Sequence, residues 1–181
     1  MDEQWRIAKY DPEWNYLFEE LGKKLRESLQ DTAIRIDHIG STSVVGLEAK
    51  PIIDIQISVI DFDDLSQYQS KIERLGFVYR SENIDKTKGY FREIPGTRRT
   101  HIHVRQVGSL GEQISLLFRD YLRTHPEDCV RYVAEKHRLM NLFRHDRVKY
   151  VDGKDPIIWD ILKMATKWSQ IKGWNPEKTD M

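Results

Sequence analysis

Residues 36–57, IDHIGSTSVVGLEAKPIIDIQI, gather the residue types that could do chemistry. Gly40, Ser41, Thr42 and Ser43 follow an apolar run directly. A glycine there lets the backbone turn sharply and present N–H groups and hydroxyls to an anion, which is how a phosphate is held. The same four residues also suit an ordinary connector. Asp54 favours the first use. Its run IIDIQISVI, from Ile52 to Ile60, alternates Ile53, Ile55, Ile57 and Val59 on one face with Asp54, Gln56 and Ser58 on the other. A glycine-serine turn followed by an acid-bearing strand can hold a nucleoside triphosphate and the divalent cation bridging it, Mg2+ or Mn2+. Asp37 is a further candidate ligand, with an ion pair to a lysine or arginine as its competing use. Lys50, before Pro51, can neutralise a β- or γ-phosphate, or simply pack its stem on the surface.

A second polar face lies in RTHIHVRQ, where alternation sets His101, His103 and Arg105 against Ile102 and Val104. Were this strand to neighbour that of Asp54, His101 or His103 could complete a metal site or act as general base. Imidazole would then draw manganese, zinc or iron rather than magnesium. The competing reading is two strands with solvated faces. Arg119, Asp120 and Arg123 fit a structural ion-pair network. Lys136 and His137 lie on the following helix, and nothing in their spacing decides whether they face the cleft. Six basic residues between Lys86 and Arg105 predict a local basic rim.

The elements that must position these groups follow from periodicity. Asp11-Pro12 opens a helix over 12–30 whose stripe is Trp14, Leu17, Phe18, Leu21, Leu25 and Leu29. Strands are expected over Ala33–Ile39, Ile52–Ile60, Phe77–Arg80, Lys88–Glu93 and Arg99–Gln106. A helix with Phe62, Leu65, Ile72 and Leu75 inward ends at Gly76. Three helices follow: one with Ile114, Leu117, Phe118, Tyr121 and Leu122 inward, one from Pro126 to about Phe143, and one carrying Ile158, Ile161, Leu162, Ala165 and Trp168. The class is α+β.

The stretches DHIGSTSVVGLEAKPIIDI, RTHIHV and FRDYLRTHPEDCVRY, with a helix after Lys154, resemble the GrpB family over nearly the whole chain. That family resembles the nucleotidyltransferase superfamily, which includes DNA polymerase beta and kanamycin nucleotidyltransferase. The resemblance implies a mixed sheet flanked by helices with a helical C-terminal part. It also implies that Gly40 and Ser41 contact nucleotide phosphates and that Asp54 binds the metal. One departure stands out. Nucleotidyltransferases present two acids one residue apart on this strand, and here the second is Gln56, a weaker ligand for a hard cation.

Composition narrows the classes. A chain of 181 residues is expected to form one domain, 1–181, with a single core. The lone Cys129 excludes an internal disulfide. Twenty-nine basic residues balance 29 acidic ones, so no global field draws the chain to nucleic acid. No apolar run is long enough to span a membrane, and MDEQWRIAKY carries acids where a signal peptide has bases; a cytoplasmic location is expected. The leading expectation is a metal-dependent nucleotidyltransferase acting on an unidentified small-molecule or protein acceptor. The alternative is a nucleotide-binding module that has lost chemistry with its second carboxylate. A histidine-triad hydrolase ranks last, because Arg105 stands where a third histidine is needed.

Overall fold

The computed structural model of the chain describes residues 6–181, so the first part of MDEQWRIAKY lies outside the described residues. Helix α1, Glu13–Leu29, opens where Asp11 Oδ1 accepts the Glu13 N–H at 3.0 Å, and it buries Trp14, Phe18, Leu25 and Leu29. Five strands follow: β1 Arg35–Ile39, β2 Ile53–Val59, β3 Phe77–Tyr79, β4 Gly89–Glu93 and β5 Thr100–Gln106. Each lies within a residue or two of its predicted span. The predicted helix after residue 60 is broken, because Asp64 caps a separate 3-10 turn over Leu65–Gln67 and leaves α2 only Gln69–Glu73. Helices α3 Leu110–Thr124, α4 Pro126–Leu142 and α6 Asp155–Lys172 match the C-terminal reading. Helix α5, Arg147–Asp152, was not predicted, because six residues are too few to show a period.

The sheet is mixed, in the order β1-β2-β5-β4-β3. Only β2 and β5 run parallel, and the crossover joining them carries α2, β3 and β4. Their register sets Asp54 against His101, Gln56 against His103 and Ser58 against Arg105. On β1, Asp37 lies opposite Gln56; on β4, Arg92 lies opposite His101 and Tyr90 opposite His103. Directly paired residues share a face, so one side of the sheet collects all of these groups.

The opposite side packs Ile53, Ile55, Ile57, Ile102 and Val104 against α1 and α2. Instead of the single predicted core, the described residues hold two apolar clusters. The second joins Val44 and Leu47 to Tyr121, Leu122, Tyr132, Ile161 and Ala165 of α3, α4 and α6. The separation follows from the polar face of β1 and β2, which no apolar side chain can fill.

That polar face is not solvated. Helix α3 covers its β1 side, and Asp37, Gln56 and Ser58 are fully buried. Arg119 of α3 is buried with them and bridges Asp120 at 2.7 Å, Asp180 at 3.0 Å and Asp37 at 3.6 Å. It also donates to the His38 carbonyl at 3.2 Å. Arg35 adds two hydrogen bonds to Asp37 at 2.8 and 2.9 Å. The predicted ion-pair network is therefore present, and it is what engages Asp37. Among the described residues no helix is long and apolar enough to cross a membrane.

The open edge of β1 is covered by residues 177–181. Thr179 Oγ1 accepts the Ile36 N–H and Asp180 Oδ2 accepts the His38 N–H, each at 2.9 Å, while the Met181 N–H reaches the Ile36 carbonyl at 3.2 Å. Edge strands need such cover against foreign pairing. Asp180→Ala removes one acceptor from a buried guanidinium and one from a strand amide. It should cost about 1–3 kcal/mol, read as a lower urea midpoint; an unchanged midpoint would show that the tail is only loosely attached.

Candidate functional site

The Gly40 turn is shaped by two local constraints. Gly40 has φ +70° and ψ −175°, a region open essentially to glycine alone. A Cβ there would lie 2.7 Å from Asp54 Oδ2, so the missing side chain is what lets the carboxylate pack against the turn. Ser41–Ser43 then form one 3-10 turn whose opening amides have no acceptor within it. The turn is anchored from behind. Ser43 Oγ donates to the Gly40 carbonyl at 2.6 Å, and Thr42 Oγ1 donates to the Ile52 carbonyl at 3.0 Å. With its one proton so used, Thr42 accepts from His38 Nε2 at 3.0 Å. His38 stacks on Phe18 with ring centroids 4.7 Å apart, and burial pushes its pKa down to about 3, so it stays neutral. Of the three predicted hydroxyls, only that of Ser41 is left for the cavity.

That cavity, about 560 Å3, lies beyond the turn over the polar face of β2 and β5. Asp54 Oδ1 accepts from His101 Nδ1 at 3.1 Å and lies 3.5 Å from His103 Nε2. Ligand atoms of the three residues fall within 4.8 Å of one another, a set able to hold one metal ion. His101 Nε2 is buried with no hydrogen-bond partner among the described residues, which leaves the ring donor capacity to spare. Burial alone would raise the Asp54 pKa, but hydrogen bonds from the two imidazoles outweigh it and hold the carboxyl well below the usual range. Burial lowers His103 despite its bond to Asp54. Asp37 is not part of this set. It is buried between Arg35 and Arg119, and the structure does not bring it to Asp54.

Around the trio stand Lys50, Lys88, Lys136, Arg147 and Lys154, while Asp54 is the sole acid among the lining residues. Lys136 is only 4% exposed; it donates to the Glu48 carbonyl and to Ser41 Oγ, the latter at 3.3 Å. Burial, with Lys154 close by, pushes Lys136 down to about 7. Lys50 sits 3.6 Å above the centre of the Tyr150 ring, and burial with the neighbouring Lys154, Arg147 and Arg99 pushes it to about 7 as well. Burial also lowers Lys88, Lys154 and Arg147. Such crowding of like charges is unfavourable in itself.

His137 does not join the lining; it pairs with Glu48 at 2.7 Å. Arg105 turns to Asp85 and Thr87. Sequence reasoning missed Arg147, Tyr150, Lys154 and Tyr132. The last could have been found, since Tyr132 and Lys136 are one helical turn apart on the same face of α4.

Two outcomes follow. Gly40→Ala should destabilise the fold by about 1–3 kcal/mol through backbone strain and displace the Asp54 carboxylate from the turn. For Lys136, the folded-state value of about 7 lies below the ordinary 10.5. The unfolded chain then binds more protons between those two values, so ligand-free stability should rise as pH climbs through that window. Lys136→Met should flatten this rise, raise stability at neutral pH by about 1 kcal/mol and weaken tripolyphosphate binding. Urea unfolding across pH, with and without tripolyphosphate, measures all three.

The fold agrees with the comparisons. A family model described as GrpB protein matches residues 4–164. UPF0157 protein PA4798 of Pseudomonas aeruginosa is 35% identical over 91% of this chain and 69% of its own length. UPF0157 protein YqkA of Bacillus subtilis is 32% identical over 91% of this chain and 48% of its own length, so this chain spans about half of that relative. A crystal structure of conserved protein GrpB from Enterococcus faecalis superposes with a TM-score of 0.83 at 34% identity, over 91% of this chain and 99% of that one. Cid1 in complex with its short product ApU superposes with a TM-score of 0.51 at 14% identity, over 75% of this chain and 43% of that one; this is a likeness of fold. With a family model matched along most of its length and a GrpB crystal structure of the same fold at 34% identity, the chain belongs to the GrpB protein family.

Proposed function

We propose that this chain is a metal-dependent nucleotidyltransferase that moves a nucleoside monophosphate from a nucleoside triphosphate to an acceptor hydroxyl. The observation that carries the reading is the cavity itself. One carboxylate and two imidazoles lie within 4.8 Å, beside a glycine-serine turn and among the four lysines Lys50, Lys88, Lys136 and Lys154. A polyanion bridged by a cation satisfies all of these groups together, and few other ligands do.

In this reading Ser41 and the opening amides of its turn hold terminal phosphate oxygens, while Lys136 and Lys50 supply charge from above. Asp54, His101 and His103 hold one divalent ion, and their nitrogen donors favour Mn2+ over Mg2+. When bound, the ion polarises phosphoryl oxygen and offsets charge developing on it. The acceptor oxygen bonds to the α-phosphorus as the bond from that phosphorus to the bridging oxygen breaks, and pyrophosphate leaves. The acceptor proton passes to water.

A second reading, a nucleotide-binding module without turnover, is favoured by one observation. Gln56, where the resemblance implies a second acid, is fully buried under α3 and donates to the Glu112 carbonyl at 3.3 Å. Pyrophosphate release separates the two readings.

Binding is tested first, without knowledge of the acceptor. A nucleoside triphosphate with Mn2+ at about 100 times its dissociation constant should add roughly 2.7 kcal/mol. In a chain of this size that raises the melting midpoint by about 5–11 °C. Asp54→Asn should erase the metal-dependent part of the shift and keep a smaller part from the turn and lysines. No shift with any of the common ribonucleoside triphosphates would sink both readings, and a full shift in Asp54→Asn would place the ion elsewhere.

A further inference from the structure

Three guanidiniums gather beside the metal trio that the donor phosphates do not need. Arg92 lies directly opposite His101 across the β4–β5 ladder and so falls on the face that carries Asp54. Arg99 stands just before β5 and is tied to Arg92 through the Glu93 carboxylate. Arg147, the first residue of α5, lines the cavity above them. The three are electrostatic neighbours: burial lowers the Arg147 pKa, and Arg92 and Arg99 lower it further. A single carboxylate serves them from below. Glu93 Oε1 takes Arg99 Nε at 2.8 Å and Arg92 Nη2 at 3.3 Å, while its Oε2 accepts the Thr100 N–H at 3.1 Å. Glu93 thus fixes two of the arginines without neutralising all three.

Their place in the sheet assigns them a role. Across the polar face the order is the Gly40–Ser43 turn at the end of β1, Asp54 on β2, His101 on β5 and Arg92 on β4. In phosphoryl transfer the attacking and leaving oxygens lie roughly in line, on opposite sides of the phosphorus. If the turn holds the phosphates that leave, the arginines stand on the side from which the acceptor enters. A carboxylate satisfies one guanidinium fork, whereas a phosphate monoester offers three oxygens and close to two charges.

We infer that the acceptor is a phosphorylated small molecule whose phosphate monoester is held by Arg92, Arg99 and Arg147, on the side of Asp54 opposite the Gly40–Ser43 turn. The assignment rests on the nucleotidyl-transfer reading and names its second substrate by chemical class. It also accounts for the surplus of positive charge at the mouth of the cavity, which the donor and its cation leave only partly offset.

The probe is radiolabelled inorganic phosphate, measured by equilibrium dialysis against protein saturated with Mn2+ and a non-hydrolysable nucleoside triphosphate. Wild type should bind one phosphate per chain beyond the nucleotide. Arg92→Gln and Arg147→Gln, on different elements, should each weaken that phosphate by about 10-fold or more, the loss of one charge-assisted contact, and leave nucleotide affinity within about threefold. Unfolding midpoints confirm that both variants fold. No phosphate on the nucleotide-loaded protein, or equal phosphate binding in both variants, overturns the subsite. So does a parallel loss of nucleotide affinity, which would give the arginines to the donor. Failure of the nucleotide itself to bind is a separate result, which brings down the nucleotidyl-transfer reading and the acceptor assignment with it.

Discussion

The parallel register of β2 with β5 is the constraint on which the site depends. Asp54 meets His101 and His103 across separations of 47 and 49 residues in the chain, and only this pairing brings them together. A slip of one residue would turn every side chain of one strand to the other face. What prevents the slip is the opposite side of the same strands, where Ile53, Ile55, Ile57, Ile102 and Val104 are packed without exposure beyond 2%. The apolar core thus sets the geometry of the polar face. Hydrophobic burial has no direction of its own, yet through strand alternation it fixes where three ligand atoms converge.

The polar face pays for its chemistry in stability. Lys136 is nearly inaccessible and surrounded by further cations, and it is held by a carbonyl and a hydroxyl rather than by a carboxylate. Gly40 adopts a conformation open to no other residue so that Asp54 can close on it. Strain and like-charge crowding of this kind persist only where the surrounding structure over-determines them. Here the support is visible. Ser43, Thr42 and His38 tie the turn from behind, and Arg119 ties β1 to α3 and to Asp180.

Much of this was legible in the sequence, because alternation and glycine chemistry are local signals. The faces of β2 and β5 follow from IIDIQISVI and RTHIHVRQ, and the Gly40 turn follows from its place after an apolar run. The adjacency of the two strands was conditional on topology, which periodicity does not encode. Burial of the polar face was missed for the same reason: Gln56 and Ser58 look solvated until α3 is laid over them. Thr42 and Ser43 are tied up by the carbonyls of Ile52 and Gly40, and Asp37 by Arg119 from far along the chain, partners that the sequence reading did not identify. Arg147 and Lys154 were invisible because the first opens and the second follows a six-residue helix that leaves no periodic trace.

Gln56 bears on how such a site could work with one ion. Its side chain is dry: Nε2 reaches the Glu112 carbonyl and Oε1 has no partner among the described residues. A carboxylate placed there would be a buried charge beside Asp37, which is already committed to two arginines, and burying it without a cation would be strongly unfavourable. An amide avoids that charge but gives up a hard-cation ligand. The positive charge a second ion would bring then has to come from side chains. Lys88 and Lys154 are candidates, since the charge of each acts on Asp54. On the nucleotidyl-transfer reading proposed above, an amide and a ring of lysines in place of a carboxylate and its ion would keep the cavity cationic without a second metal. Lysine side chains are point charges on flexible stems. A site of that kind would position a polyanion less rigidly than two fixed ions do and would lean on the Gly40–Ser43 turn for orientation.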